Sequence, residues 1–172
     1  MPIVPDTKNW TWVLDEPCTD CGFDAATVAF ADVPGLVRRN AAAWALPLAS
    51  PDAALRPDDS TWSPLEYAAH VRDVFRIFDE RLALMLTEDG PTFANWDQDA
   101  TAVADDYGAQ DPTVVASELT AAAEAVARSF DTVPAGSLGR TGFRSDGSAF
   151  TVESLATYFV HDPIHHLHDV VG

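Results

Sequence analysis

The amino-acid sequence predicts an all-α protein with one hydrophobic core. Four segments carry apolar residues at helical spacing, and capping residues, proline or glycine stand at their ends. The chain has 172 residues, of which 47% are hydrophobic, which is enough for one sizeable core and too few to expect two. We therefore expect a single domain over residues 1–172.

An irregular N-terminal arm precedes the first predicted helix. The first 23 residues contain three prolines and a turn-like segment from Cys18 to Gly22. A helical pattern follows Asp24 and is clearest from Pro34 through Leu46. Pro47 and the loop at residues 50–60 end this first helix.

The second helix has the clearest start signal. The segment Ser63-Pro64-Leu65-Glu66 combines an N-cap serine, a proline at the first helical position and a glutamate three residues after the cap. An apolar stripe then continues to Met85, and Gly90-Pro91 ends the helix. His70 lies on the flank of that stripe, so it can point inward at the edge of the core.

Two further helices follow an acidic, loop-like segment that holds a short helical piece near residues 100–107. Pro112 opens a third long helix, which runs from Thr113 to about Phe130. Four glycines within residues 136–148 predict a loop or a short hairpin. Thr151 caps the last helix, residues 152–170, which is apolar on nearly every side and which we expect to be the most buried of the four.

The composition excludes two classes of partner. The chain has 27 acidic and 10 basic residues, a formal net charge of −17, and such a surface repels phosphate backbones, so we expect no nucleic-acid binding. No run of 18 apolar residues occurs, and the first residues show no basic region followed by an apolar stretch. We therefore expect a cytoplasmic protein without a membrane partner. We also expect a monomer or a homodimer.

The distribution of the histidines predicts a metal site. Residues four apart lie on the same face of a helix, so His161 and His165 form a two-ligand clip, and His70 from the second helix can supply a third imidazole. His165 with His168 is the alternative pair, whereas His161 and His168 lie about 10 Å apart along the helix axis. Buried histidines that only hydrogen-bond to neighbours are the competing interpretation. No role is assigned to His166.

Three imidazole ligands leave coordination positions open, as in catalytic zinc sites. Three carboxylates could orient these ligands or could be ordinary solvated charges: Asp73, Asp162 and Asp169. Cys18 and Cys21 form a single CxxC, which is half of a four-ligand zinc site. Redox chemistry, a labile disulfide, zinc shared with stray histidines and two inert thiols all remain open for this pair.

Arg140 and Arg144 lie in the loop before the last helix. Their guanidinium groups could bind a substrate or cofactor carboxylate through forked hydrogen bonds, or they could form surface salt bridges. The sequence does not decide between these roles.

The segment from Trp62 to Val71, which ends in Ala69-His70-Val71, together with His161 and His165 in the last helix, resembles the DinB/YfiT-like superfamily of metal-binding proteins. It is also similar to the metal-binding domain of mycothiol-dependent maleylpyruvate isomerase. The resemblance implies a four-helix bundle with up-down-down-up connectivity. It further implies a zinc or nickel ion held by His70, His161 and His165, and it leaves Cys18 and Cys21 outside the general pattern.

For activity, the resemblance implies a divalent-metal-dependent S-transferase or isomerase that uses mycothiol or another low-molecular-weight thiol and an electrophilic substrate. The ion would bind the thiol and lower its pKa. A metal-dependent hydrolase, with water at the open position, is the alternative. A metal-binding stress-response module without turnover is the second alternative.

Overall fold

The computed structural model describes residue 3 and residues 9–172. Within these residues the N-terminal arm is irregular, as predicted, and consists of 3₁₀ turns at Trp10–Leu14, Ala25–Thr27 and Phe30–Asp32. Two of the three prolines that predicted this arm, Pro2 and Pro5, lie outside the described residues.

Four long helices form the body of the molecule. They are α1 (Val33–Ala43), α3 (Pro64–Thr87), α5 (Pro112–Asp131) and α6 (Val152–Val171), and two short helices accompany them, α2 (Ala45–Ala49) and α4 (Gln98–Ala104). Both α1 and α3 pack against α5 and against α6, so α1 lies diagonally across the bundle from α3. The predicted all-α four-helix bundle with up-down-down-up connectivity is confirmed. In the described part of the chain, no helix has the length and apolar character needed to cross a membrane.

The predicted helix starts are confirmed by their caps. Ser63 Oγ accepts from the Glu66 amide at 3.2 Å, and Glu66 Oε2 accepts from the Ser63 amide at 2.8 Å, which satisfies two donors at the start of α3. Asp111 Oδ1 accepts from the Thr113 amide at 2.8 Å at the start of α5. Thr151 caps α6 in the same way as Ser63 caps α3.

A small sheet lies beside the bundle. Its strands are β1 (Thr92–Phe93), β2 (Thr141–Arg144) and β3 (Ala149–Thr151), in that order across the sheet. The antiparallel pair β2–β3 is the hairpin that the glycines predicted as one alternative, and Gly147 takes a φ of 93° at its turn, where other residues are strained. The parallel pairing of β1 with β2 was not predicted, because a two-residue strand has no readable alternation.

The core is centred on an aromatic cluster around Phe159 of α6. Its ring lies 4.9 Å from that of Phe78, 5.6 Å from Phe130 and 6.0 Å from Phe75. The expectation that α6 is the most buried helix is wrong, since 14 of the 24 residues of α3 are buried against 8 of the 20 in α6. No residue of α6 after Pro163 is fully buried, because this end extends beyond the core toward the arm and a surface cavity.

Candidate metal centre

The last turns of α6 carry potential metal ligands on two adjoining sides. The first group consists of His70, Asp162 and His166, and the second of Cys18, Cys21, His161 and His165. Within each group, the potential ligand atoms all lie within 4.8 Å of one another. Consecutive helical residues point about 100° apart, so the pair 161/165 and the pair 162/166 face different neighbours.

The predicted set of His70, His161 and His165 is divided between these two groups. The physical reason is the orientation of α6: the pair that faces His70 on α3 is Asp162 with His166, whereas His161 and His165 face the arm. Both pairs have the same spacing of four, so the sequence carries an equal signal for Asp162 and His166. His168 is exposed and belongs to neither group.

The separations in the first group fit one divalent ion. Nε2 of His70 lies 3.1 Å from Oδ1 of Asp162, and Nε2 of His166 lies 3.8 Å from the same oxygen. A tetrahedral ion with bonds of about 2.0–2.1 Å holds its ligand atoms about 3.3 Å apart. The two observed separations lie on either side of this value, so small side-chain movements suffice to hold an ion.

Neighbouring side chains fix the orientation of both imidazoles. Asp169 Oδ2 lies 3.0 Å from Nδ1 of His166, which leaves Nε2 of that ring for the side of Asp162. The fully buried ring of His70 lies parallel to Trp96, with ring centres 5.2 Å apart, and contacts Trp62 on another side. Nδ1 of His70 is buried and has no hydrogen-bond partner among the described residues.

The two carboxylates beside these imidazoles are ionised at neutral pH. Burial raises the pKa of Asp162, but the neighbouring His70 and His166 outweigh burial and lower this pKa to about 2. Burial likewise raises the pKa of Asp169, and the hydrogen bond with His166 lowers it below its ordinary value. An ionised carboxylate is the protonation state that metal binding requires.

Asp162 and His166 lie on the wall of a cavity of about 650 Å³. The aromatic residues that line it are Trp10, Trp62, Tyr67, Phe78, Trp96 and Tyr158. Among the described residues, its acidic lining residues are Asp20, Asp97, Asp99, Asp146, Asp162 and Asp169, against two basic ones, Arg81 and Arg144. The excess of carboxylates makes the cavity unfavourable for anionic molecules.

The two predicted cofactor-binding arginines occupy different places. Arg144 lines the cavity, but its Nε donates to Asp146 at 2.9 Å and its side chain is largely buried. Arg140 is not among the cavity-lining residues; it donates to the main-chain oxygens of Met85 and Glu88, both at 2.6 Å, at the end of α3. Cofactor binding by either arginine stays a prediction, and the contacts of Arg140 stabilise the end of α3.

Asp73, the third candidate for orienting a ligand, belongs to a separate buried network. Its carboxylate accepts from Arg72 Nε at 2.9 Å and from the Tyr107 hydroxyl at 2.6 Å. Of the three aspartates considered from the sequence, Asp162 and Asp169 therefore contact histidines of the first group and Asp73 holds other side chains in place.

Comparisons with known proteins agree with this fold. A sequence profile of the DinB superfamily matches residues 36–170. The structure of YfiT from Bacillus subtilis, described as a probable metal-dependent hydrolase with an unusual four-helix bundle topology, superposes with a TM-score of 0.72 over 83% of each chain at 18% sequence identity. At this identity the likeness shows the fold alone. No curated protein is significantly similar to the chain in sequence.

Proposed function

Because the chain belongs to the DinB superfamily, we propose that it is a metal-dependent hydrolase whose divalent ion is held by His70, Asp162 and His166. The observation that carries this proposal is the convergence of the three side chains beside a cavity large enough for a small-molecule substrate. Hydrolysis is also the activity named in the description of the structurally similar YfiT.

The ligand set suits a catalytic rather than a closed site. Two imidazoles and one carboxylate leave at least one position of a tetrahedral ion open. When bound, the ion supplies Lewis-acid chemistry and an ionised water at neutral pH. Zinc fits this mixed nitrogen and oxygen set, and nickel is the other metal to be tested.

Residues of the protein orient the metal ligands and select the charge of the substrate. Asp169 holds the ring of His166 in one tautomer through its 3.0 Å contact with Nδ1. Trp62 and Trp96 flank His70 and keep water away from its ring. The carboxylates of the cavity wall favour neutral or cationic substrates over anionic ones.

Thiol transfer is the second candidate function. The observation that favours it is the aromatic lining of the cavity, because aromatic faces provide flat apolar surfaces on which the sugar rings of a thiol such as mycothiol can pack. The same open metal position would bind the thiolate and keep it ionised at neutral pH. An electrophilic co-substrate would then occupy the rest of the cavity.

The test compares the wild type with three ligand variants and a matched control on the same helix. The variants are His70→Ala, Asp162→Ala and His166→Ala, and the control is His168→Ala, which removes an exposed histidine outside both groups. Each protein is loaded with zinc or nickel, and its metal content and its hydrolysis of neutral chromogenic esters and amides are measured. A lower metal content together with loss of hydrolysis in the ligand variants, but not in the control, supports the proposal.

A parallel assay distinguishes the second candidate. Mycothiol or glutathione and a generic electrophile are incubated with the metal-loaded protein, and conjugation is compared with the uncatalysed rate. Metal-dependent conjugation without any hydrolysis would replace the hydrolase by thiol transfer. Metal binding with neither reaction would favour a binding module.

A further inference from the structure

The CxxC pair of the arm lies against the side of α6 that carries His161 and His165. Cys18 Sγ is 3.6 Å from Nδ1 of His165, across 147 positions of sequence, and the ligand atoms of Cys18, Cys21, His161 and His165 all lie within 4.8 Å of one another. We propose that these four residues form a second, closed zinc site that fastens the N-terminal arm to α6. This site is independent of the hydrolase proposed above.

The donor set and its spacing match tetrahedral zinc. With Zn–S bonds of about 2.3 Å and Zn–N bonds of about 2.0–2.1 Å, a sulfur and a nitrogen on the same ion lie about 3.6 Å apart. The Cys18 to His165 separation equals this value. Two cysteines and two histidines complete four-coordinate zinc and leave no open position, which is the pattern of a structural site.

The backbone of the arm is folded to present both sulfurs together. The Gly22 amide donates to Cys18 O at 2.8 Å, and the Cys18 amide donates to Phe23 O at 2.8 Å, so the segment closes into a tight turn. Gly22 has a φ of 74°, which a residue with a Cβ adopts only under strain. This turn brings Cys18 and Cys21 to the same side, facing α6.

A buried imidazole in the group lacks a partner. His161 is 4% exposed, and its Nε2 has no hydrogen-bond partner among the described residues. Buried polar atoms in folded proteins are nearly always paired, so this nitrogen indicates a ligand. Trp10 and Phe23 pack on the ring at 5.5 Å and 5.3 Å, and Trp10, His161 and His165 also line the cavity.

A redox role for the cysteines fits the structure less well. Catalytic CxxC motifs have an accessible low-pKa thiol, often at the start of a helix. Here Cys18 is only 1% exposed, and the nearest helical segment after the motif is a three-residue 3₁₀ turn at Ala25–Thr27. The DinB profile begins at residue 36, so this site lies partly outside the region that defines the family.

The experiment is metal analysis of protein purified with zinc, combined with cobalt substitution. We expect close to two zinc ions per chain in the wild type and about one in the Cys18→Ser/Cys21→Ser double variant. His166→Ala should also bind about one, because it affects only the first group. The cobalt-loaded wild type and His166→Ala should show a sulfur-to-cobalt charge-transfer band, which the double cysteine variant should lose.

Two controls keep the test decisive if the double variant does not fold. His165→Cys keeps four ligands and should retain the second ion, whereas His165→Ala should lose it. In the zinc-loaded wild type, iodoacetamide should alkylate neither cysteine until a strong chelator is added. Fast alkylation without chelator, a Cys18–Cys21 disulfide found by mass spectrometry, or a cobalt spectrum without the sulfur band would overturn the proposal. Failure of hydrolysis with the second ion present would affect only the proposed function.

Discussion

Nε2 of His70 on α3 lies 3.1 Å from Oδ1 of Asp162 on α6, and this contact joins the two helices beside the cavity. One partner is fully buried and the other has a side chain that is 32% exposed, so the pair connects the core to the cavity wall. An ion bound here would have one ligand fixed by the core and the others accessible to a substrate.

Replacing Asp169 should weaken metal binding at the first group without removing a ligand. Asp169→Ala takes away the carboxylate that holds Nδ1 of His166, and losses of this kind cost about 10–100-fold in metal affinity. Competition with a chromophoric chelator measures the change. His168→Ala, one residue away, should leave the affinity unchanged; an equal loss in both variants would mean that Asp169 acts only through the general charge of α6.

Removing the hydroxyl of Tyr107 should destabilise the fold. The hydroxyl donates to Asp73 Oδ2 at 2.6 Å inside the protein, and this oxygen also accepts from Arg72 Nη2 at 3.1 Å. The variant therefore loses one hydrogen bond to a charged group, which contributes about 1.5–3 kcal/mol. Urea denaturation of Tyr107→Phe at pH 7 measures this free energy of unfolding. A variant as stable as the wild type would show that water or Arg72 satisfies the carboxylate.

The Asp73 network should also make stability depend on pH. Burial raises the pKa of Asp73, but the hydrogen bonds from Arg72 and Tyr107 leave it below its ordinary value. The unfolded chain therefore takes up this proton first, near pH 3.9, and the stabilisation is present above that pH and lost below it. The stability difference between the wild type and Asp73→Asn should shrink as the pH falls from about 5 to 3. A constant difference over this range would contradict the prediction.

Phe159 should be among the most costly core residues to truncate. Its ring contacts those of Phe75, Phe78 and Phe130, and Phe159→Ala should lower the free energy of unfolding by about 3–5 kcal/mol. Phe159→Leu keeps most of the volume and should cost less. Chemical denaturation of both variants checks the order, and equal losses would show that ring stacking matters more than volume.

The negative charge of the cavity wall should determine which substrates are hydrolysed most efficiently. Among esters that differ only in charge, the cationic one should have the highest kcat/KM and the anionic one the lowest, because carboxylates outnumber arginines on the wall. Added salt should reduce this difference by screening. A preference for the anionic ester would indicate that the bound ion or Arg144, rather than the aspartates, dominates the local field.

The helices could be predicted from the sequence because their signals are local. Ser63-Pro64-Leu65-Glu66 identifies the start of α3, and the observed helix begins at Pro64. Thr151 likewise caps α6, which begins at the next residue, and Pro112, predicted to open the third long helix, is the first residue of α5. Such signals depend only on residues a few positions apart. The predicted end of the first helix at Pro47 is wrong, since α1 ends at Ala43 and Pro47 lies inside α2.

The candidate site was harder to predict because it depends on the rotation of one helix. Periodicity places His161 with His165 and Asp162 with His166 equally well, and only the packing of α6 on α3 determines which pair meets His70. The approach of Cys18 to His165 joins parts of the chain 147 positions apart, which no spacing rule reveals. The CxxC motif therefore indicated a partner without identifying it.

The tryptophans around the two groups give the protein built-in optical probes. Trp96 stacks on His70 at 5.2 Å, and Trp10 contacts His161 and His165 at 5.5 Å and 5.2 Å. Trp62 also contacts His70, at 5.5 Å. Indole emission is sensitive to charge and to quenching ions at such distances, so Trp10→Phe would remove the fluorophore beside the second group, and the double change Trp62→Phe/Trp96→Phe would remove both fluorophores beside His70. Metal binding to each group could then be followed separately in solution, by fluorescence and without an added dye.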